Sequence, residues 1–209
     1  MSCALALHSC SSTLGVALLD RGQCRSAAFP LARELANGLF DAIAELLPAS
    51  RWRELSWLAV ATGPGSFTGT RLTLVLARTL AQQLQIPLYG YGSLRLIAER
   101  RRLELASTGP HWIGQTLPRR GVVAGYYGIV AADDAADVEE LEPPSLNPAG
   151  LTSAFWEAQL QPEHDARLML QLSEPLFEQN ISGPWQQVLP IYPTSPVQEL
   201  PAQKTSIES

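Results

Sequence analysis

The chain reads as an α/β protein in which a mixed sheet flanked by helices is followed by a smaller, less regular second lobe. Three observations lead there. A meander of three short strands opens the chain, helix and strand then alternate, and the periodic signal weakens beyond about Glu104. These divide it into an N-terminal lobe over 1–104, a second lobe over 105–189 and a proline-rich extended tail over 190–209.

Cys3 to His8 is a continuous apolar run suited to a buried strand, and Ser9 to Ser12 is a polar turn. Thr13 to Asp20 forms a second strand, Arg21-Gly22 a hairpin, and Gln23 to Phe29 a third strand ended by Pro30. Leu35, Leu39, Ile43 and Leu46 recur at helical spacing, so a helix runs from about Ala32 to Leu47 and stops before Pro48. Trp57 to Thr62 is the next strand. A glycine-rich turn leads into a helix over Leu72 to Leu84, then a strand at Pro87 to Tyr89 and a helix capped by Ser93 reaching about Leu103. In the second lobe, strands are expected at Gly121 to Ala131, Ala136 to Leu141 and Arg167 to Leu172, with a helix at Asn147 to Leu160.

The turn Gly63-Pro64-Gly65-Ser66-Phe67-Thr68-Gly69-Thr70-Arg71 carries the most information. Glycines between a strand and a helix place backbone where side chains would obstruct it, and the helix start presents free N–H groups. Two uses follow, anion binding or close packing. The phosphate-loop patterns fit poorly. A Walker loop needs a lysine where Thr70 stands, and Lys204 is the only lysine in the chain. A dinucleotide fingerprint needs glycine where Thr68 stands, and Leu80 to Leu88 lacks the expected acid.

Other chemistry is scarce. Gly65 directly precedes Ser66, the wrong spacing for a hydrolase elbow. His8, His111 and His164 form no metal-ligand pair, and His8 reads as a satisfied core residue at a strand end. Asp133, Asp134 and Asp137 with Glu139 and Glu140 read as a solvated loop, and Arg100-Arg101-Arg102 as a solvated helix end. No catalytic residue, metal site or cofactor is expected. Cys3, Cys10 and Cys24 are odd in number and unpaired by spacing, which favours reduced thiols in a cytoplasmic protein. There is no export signal and no 18-residue apolar run, so no membrane association is expected. A net charge of −5 argues against gripping nucleic acid unaided.

The helix after the turn has more apolar surface than one core requires. Its leucines and alanines span an arc of roughly 200°, against the 100° or somewhat more that a surface helix needs. Val75 lies beyond that arc, and Phe40 widens the earlier helix in the same way. Either the two helices pack on each other or they face a partner.

The nonapeptide matches the GPGSFTGxR signature of the bacterial TsaB (YeaZ) proteins. Pro87-Leu88-Tyr89-Gly90-Tyr91-Gly92-Ser93-Leu94 and the tail Pro190-Ile191-Tyr192 with Ser195-Pro196-Val197 resemble further segments of that family. The resemblance is strong over the first half and thin over 104–187. It implies an actin-like ATPase fold of two lobes, shared with acetate and sugar kinases and Hsp70. It implies a non-catalytic organiser of threonylcarbamoyl transfer to adenosine 37 of tRNA, acting as a heterodimer with a TsaD-type protein and meeting tRNA only through that complex. The signature residues Gly63, Pro64, Gly65, Ser66, Phe67, Thr68, Gly69 and Arg71 and a helical interface of Leu39, Ile43, Leu72, Val75, Leu76 and Arg78 carry over. Whether a TsaE-type ATPase joins the complex, or the unpartnered chain forms a homodimer, stays open. The other reading is an ATP-using phosphotransferase or peptidase of the same fold. Two departures weigh against it: His8-Ser9-Cys10 replaces an acidic strand end, and Glu34-Leu35-Ala36-Asn37 replaces a histidine-serine segment.

Overall fold

A computed structural model of the chain describes residues 2–105, 109–129, 138–151 and 154–193. The first half follows the predicted order: β1 (Cys3–His8), β2 (Leu14–Asp20), β3 (Gln23–Phe29), α1 (Leu35–Leu46), β4 (Trp57–Gly63), α2 (Phe67–Leu84), β5 (Leu88–Gly92) and α3 (Ser93–Leu105). Its five strands form one sheet in the order β3-β2-β1-β4-β5. The meander is antiparallel, with Ala6 opposite Ala17, whereas β4 joins β1 in parallel, with Leu5 opposite Leu58. Such a parallel step requires a crossover, which α1 supplies.

Alternation along these strands builds two different cores. Leu5, Leu7, Val16, Leu18, Leu58 and Val60 face α1 and α2. Ala4, Ala6, Ala17, Ala59 and Ala61 line much of the opposite face, where small side chains let a helix lie close. That helix is α4 (Pro162–Glu178), which follows the second sheet in sequence yet packs across β1 to β4 of the first.

The second sheet has the order β8-β7-β6-β9, built from β6 (Gly109–Leu117), β7 (Gly121–Ile129), β8 (Val138–Leu146) and β9 (Trp156–Glu157). Helix α3 packs on it through Leu94, Ile97 and Ala98 against Ile113, Tyr127 and Val138. Two expectations are corrected here, and a strand is added. The segment 147–160 forms no described helix, because Pro148 and the short strand β9, paired with Ile113 and Gly114, occupy it. Arg167–Leu172 is helical, since α4 begins on Pro162 with Glu163 and Asp165 in its first turn. Strand β6 is additional to the sequence reading. Asp133, Asp134, Asp137 and Ser195–Val197 lie outside the described residues, and among those described no helix is long and apolar enough to cross a membrane.

Candidate functional site

The glycine-rich turn sits where β4 hands over to α2, pressed against the turn that joins β1 to β2. Gly63 has φ +99°, a conformation that side chains disfavour. Gly65 has space for no side chain: a Cβ there would lie 2.2 Å from the Cys10 carbonyl oxygen. The same carbonyl accepts the Ser66 N–H at 2.7 Å, and a Cβ on Gly69 would meet the Ser9 carbonyl at 2.8 Å. Ser66 Oγ accepts the Gly69 N–H at 3.2 Å and caps α2. The Pro64 carbonyl accepts from Ser93 Oγ, tying the turn to α3, while Ser9 and Thr73 hydroxyls pair at 2.6 Å. Backbone approach and capping account for Gly65, Ser66 and Gly69, and beside the turn a cleft of about 440 Å³ opens between Ser11, Ser12, Thr13, Ser66, Thr68 and Gly69.

The residues after β1 are equally enclosed. His8 is fully buried, and neither ring nitrogen has a hydrogen-bond partner among the described residues. It is a core residue, as its strand position suggests, but not a satisfied one. Asp165 of α4 lies 3.7 Å from His8 Nε2, yet its carboxylate is already held by Arg100 Nε at 2.7 Å. Burial therefore outweighs the attraction of Asp165, and the His8 pKa is pushed below its ordinary value. Arg100 corrects the reading of a solvated arginine run. It is 3% exposed, ion-paired to Asp165 and hydrogen-bonded to the Gln159 carbonyl. Sequence offered no signal for this long-range pair. Cys10 is buried beneath the turn, which raises its thiol to about 11. Among the described residues no cluster of three metal-ligating side chains occurs.

The outer surface of α2 differs in character. Leu72 and Leu76 are half-buried against the α1–α2 core, while Val75 is 62% exposed. Phe67, Arg71 and Val75 follow one another at helical i+4 spacing, and Arg78 lies over the Trp185 ring. Two residues carried over as interface are not on a surface. Leu39 and Ile43 are 1% and 0% exposed because α1 turns that stripe inward, leaving Phe40 as its exposed aromatic. Part of the broad apolar arc of α2 is thus met internally, by α1 and by the segment around Trp185.

The chain returns to the turn after α4. Ile191 N–H donates to the Thr62 carbonyl at 2.8 Å, and the Tyr192 ring tilts against Phe67 with centroids 5.3 Å apart. Arg71 lies between them, 4.2 Å from the Phe67 centroid and 5.2 Å from that of Tyr192, with its Nε bonded to the Tyr192 hydroxyl at 2.5 Å. Behind this strap, Pro64, Leu94, Leu117 and Leu160 help enclose a small apolar cavity of about 110 Å³, too small for a nucleotide by comparison with ordinary ligand pockets.

Comparison with known proteins is consistent with this geometry. A family model described as TsaD: tRNA N6-adenosine threonylcarbamoyltransferase matches residues 31–114. The tRNA threonylcarbamoyladenosine biosynthesis protein TsaB of Bacillus subtilis is 33% identical over 140 residues, 59% of this chain and 54% of that protein. TsaB of Buchnera aphidicola (Schizaphis graminum) is 35% identical over 48 residues, 23% of each chain. The chain thus spans about half the length of the Bacillus relative and less of the Buchnera one. YeaZ from Pseudomonas aeruginosa superposes with a TM-score of 0.71 at 23% identity, covering 92% of this chain and all of that one. A Pseudomonas aeruginosa protein described as similar to peptidase YEAZ gives 0.72 at 20% identity, covering 93% and 100%. By sequence the chain is similar to TsaB proteins over the matched segments, and over nearly its whole length it shares the fold of YeaZ from Pseudomonas aeruginosa.

Proposed function

We propose that the chain serves tRNA threonylcarbamoyladenosine biosynthesis as a partner subunit that does no chemistry itself and docks a TsaD-type protein through the outer face of α2. The relatives' names support the pathway, and the close approach of the glycine turn to the Ser9 and Cys10 carbonyls supports an architectural role for the signature. One observation carries the docking reading. Val75, 62% exposed, stands between half-buried Leu72 and Leu76 on a helix with no acidic residue. An apolar strip left open in mid-helix is costly unless something covers it. In this reading Gly63 to Gly69 fix the pitch of α2 against β1, so that the helix presents one rigid face. Adenosine 37 of tRNA is then reached through the complex.

The test is a titration of the purified chain with the TsaD-type protein of the same organism. Val75→Asp should abolish binding, because a carboxylate would be desolvated with no counter-charge, and should leave the melting temperature of the isolated chain unchanged. Equal affinity of parent and variant would refute the interface.

A further inference from the structure

We infer that the docking face is composite: the C-terminal strap adds Tyr192 to Phe67 and Arg71 of α2, and together they form an anchor for a carboxylate-bearing helix of the partner. The inference rests on the docking reading above and extends it to a second segment of the chain and to the partner's chemistry.

The geometry is specific. Phe67 is 41% and Tyr192 36% exposed, and the Arg71 guanidinium lies against both rings. Stacking and the Tyr192 hydroxyl hold the long side chain in one orientation, which reduces the entropy lost when a partner engages it. Its Nε is taken by that hydroxyl; the guanidinium has further N–H groups beyond Nε, and among the described residues it has no ion-pair partner. Rigid aromatic–arginine clusters are the side-chain types that dominate binding energy at interfaces.

Charge complementarity selects the occupant. The whole chain carries −5, yet α2 holds two arginines, Arg71 and Arg78, and no acid over its 18 residues. Neither arginine is ion-paired among the described residues, and the positive end of the helix dipole lies at Phe67, beside Arg71. The face is therefore locally cationic around an apolar centre at Val75. A partner helix with carboxylates flanking apolar residues fits it, one carboxylate meeting the outer edge of Arg71 as a fork of two hydrogen bonds. A nucleic-acid occupant fits less well, since Val75 and Phe67 would remain uncovered in a chain of net negative charge.

The experiment measures association of the full chain with the TsaD-type protein at about 0.1 M and about 1 M salt, over which the screening length falls from ~10 Å to ~3 Å. The parent should associate faster at low salt. Arg71→Glu should weaken binding by about a hundredfold and Tyr192→Ala by about tenfold, in the range of interface anchors. Arg71→Glu should also flatten the salt dependence, and Tyr192→Phe should bind nearly as the parent does. Circular dichroism and melting check that each variant folds, and Arg78→Glu, on the same face but off the turn, supplies a second charge reversal if Arg71→Glu does not. Binding lost with Val75→Asp but unchanged in Arg71→Glu and Tyr192→Ala would overturn the composite anchor while leaving the α2 reading intact. Absence of binding by the parent would overturn both. A change in the chain's own association state in Arg71→Glu, seen by sedimentation without the partner, would assign the face to a second copy and likewise overturn the inference.

Discussion

Replacing Gly65 with alanine tests whether the signature turn is built for backbone contact. The added methyl would sit 2.2 Å from the Cys10 carbonyl oxygen and 2.4 Å from Cys10 Cβ, where ordinary contacts begin near 3.4 Å. The turn must therefore open by about 1 Å, and neither wall is the free end of a flexible side chain. Overpacking of this kind costs roughly 1–3 kcal/mol. Opening also stretches the Ser66 N–H bond to Cys10, now 2.7 Å, out of range, adding about 1 kcal/mol. A total of roughly 2–4 kcal/mol corresponds to a fall in melting temperature of about 5–12 °C for a chain of this size. Urea unfolding followed by circular dichroism should show a lower midpoint with unchanged slope. The residue is exposed by area, so a surface view predicts no effect. A Gly65→Ala melting temperature within about 1 °C of the parent would refute the backbone-contact account.

Four further outcomes are expected. Asp165→Asn leaves the Arg100 guanidinium, 3% exposed, without its counter-charge, and should cost about 3–5 kcal/mol in denaturant unfolding. His8 is held neutral by burial with its folded pKa below the ordinary 6.5; as pH falls through that ordinary value the unfolded chain gains the proton first, so stability is full above it and declines below it until the folded pKa is reached. Unfolding measured from neutral to mildly acid pH should show that decline in the parent and a shallower one in His8→Leu. Native-state thiol labelling near pH ~8 should modify Cys24, which is exposed, and spare Cys3 and Cys10, which are buried; all three thiols are pushed up by desolvation, so access decides the outcome. The isolated chain should leave ATP unhydrolysed; turnover on the order of 1 s⁻¹ that copurifies with it would contradict a non-catalytic role.

The first sheet was legible because its signals are local. Each strand from Cys3 to Phe29 is a short apolar or alternating run bounded by turn residues, and the α1 leucines keep their period without interruption. Helix α4 was not, for a physical reason. Arg167 to Leu172 alternates like a strand, while burial of Asp165, Ala166, Leu168, Met169, Leu170 and Ser173 blurs the amphipathic stripe. Pro175 looks like a breaker yet lies inside the helix. At the turn, the glycine spacing announced close packing but not against what. The Cys10 carbonyl and Ile191 come from segments 55 and 126 residues from Gly65, by position in the chain. The Arg100–Asp165 pair was hidden because a run of three arginines reads as solvated until the fold shows which one turns inward.

The placement of α4 has a consequence for the chain's history in the cell. Synthesis proceeds from the N-terminus, so all five strands of the first sheet and their α1–α2 cover emerge before residues 162–178 are made. During that interval the alanine-lined face, with Trp57, Tyr89 and Tyr91 on it, lacks the helix that supplies Ala166, Leu168, Met169 and Leu170. Trp57 in particular waits for α4, since it stacks on Phe177 at 4.4 Å and donates its indole N–H to Ser173 at 3.0 Å. Closing the sheet is therefore a late, long-range event, and nascent chains halted before α4 would show a flat sticky sheet to chaperones. Quality control of this protein would hinge on its last quarter, far from the segment that identifies its relatives.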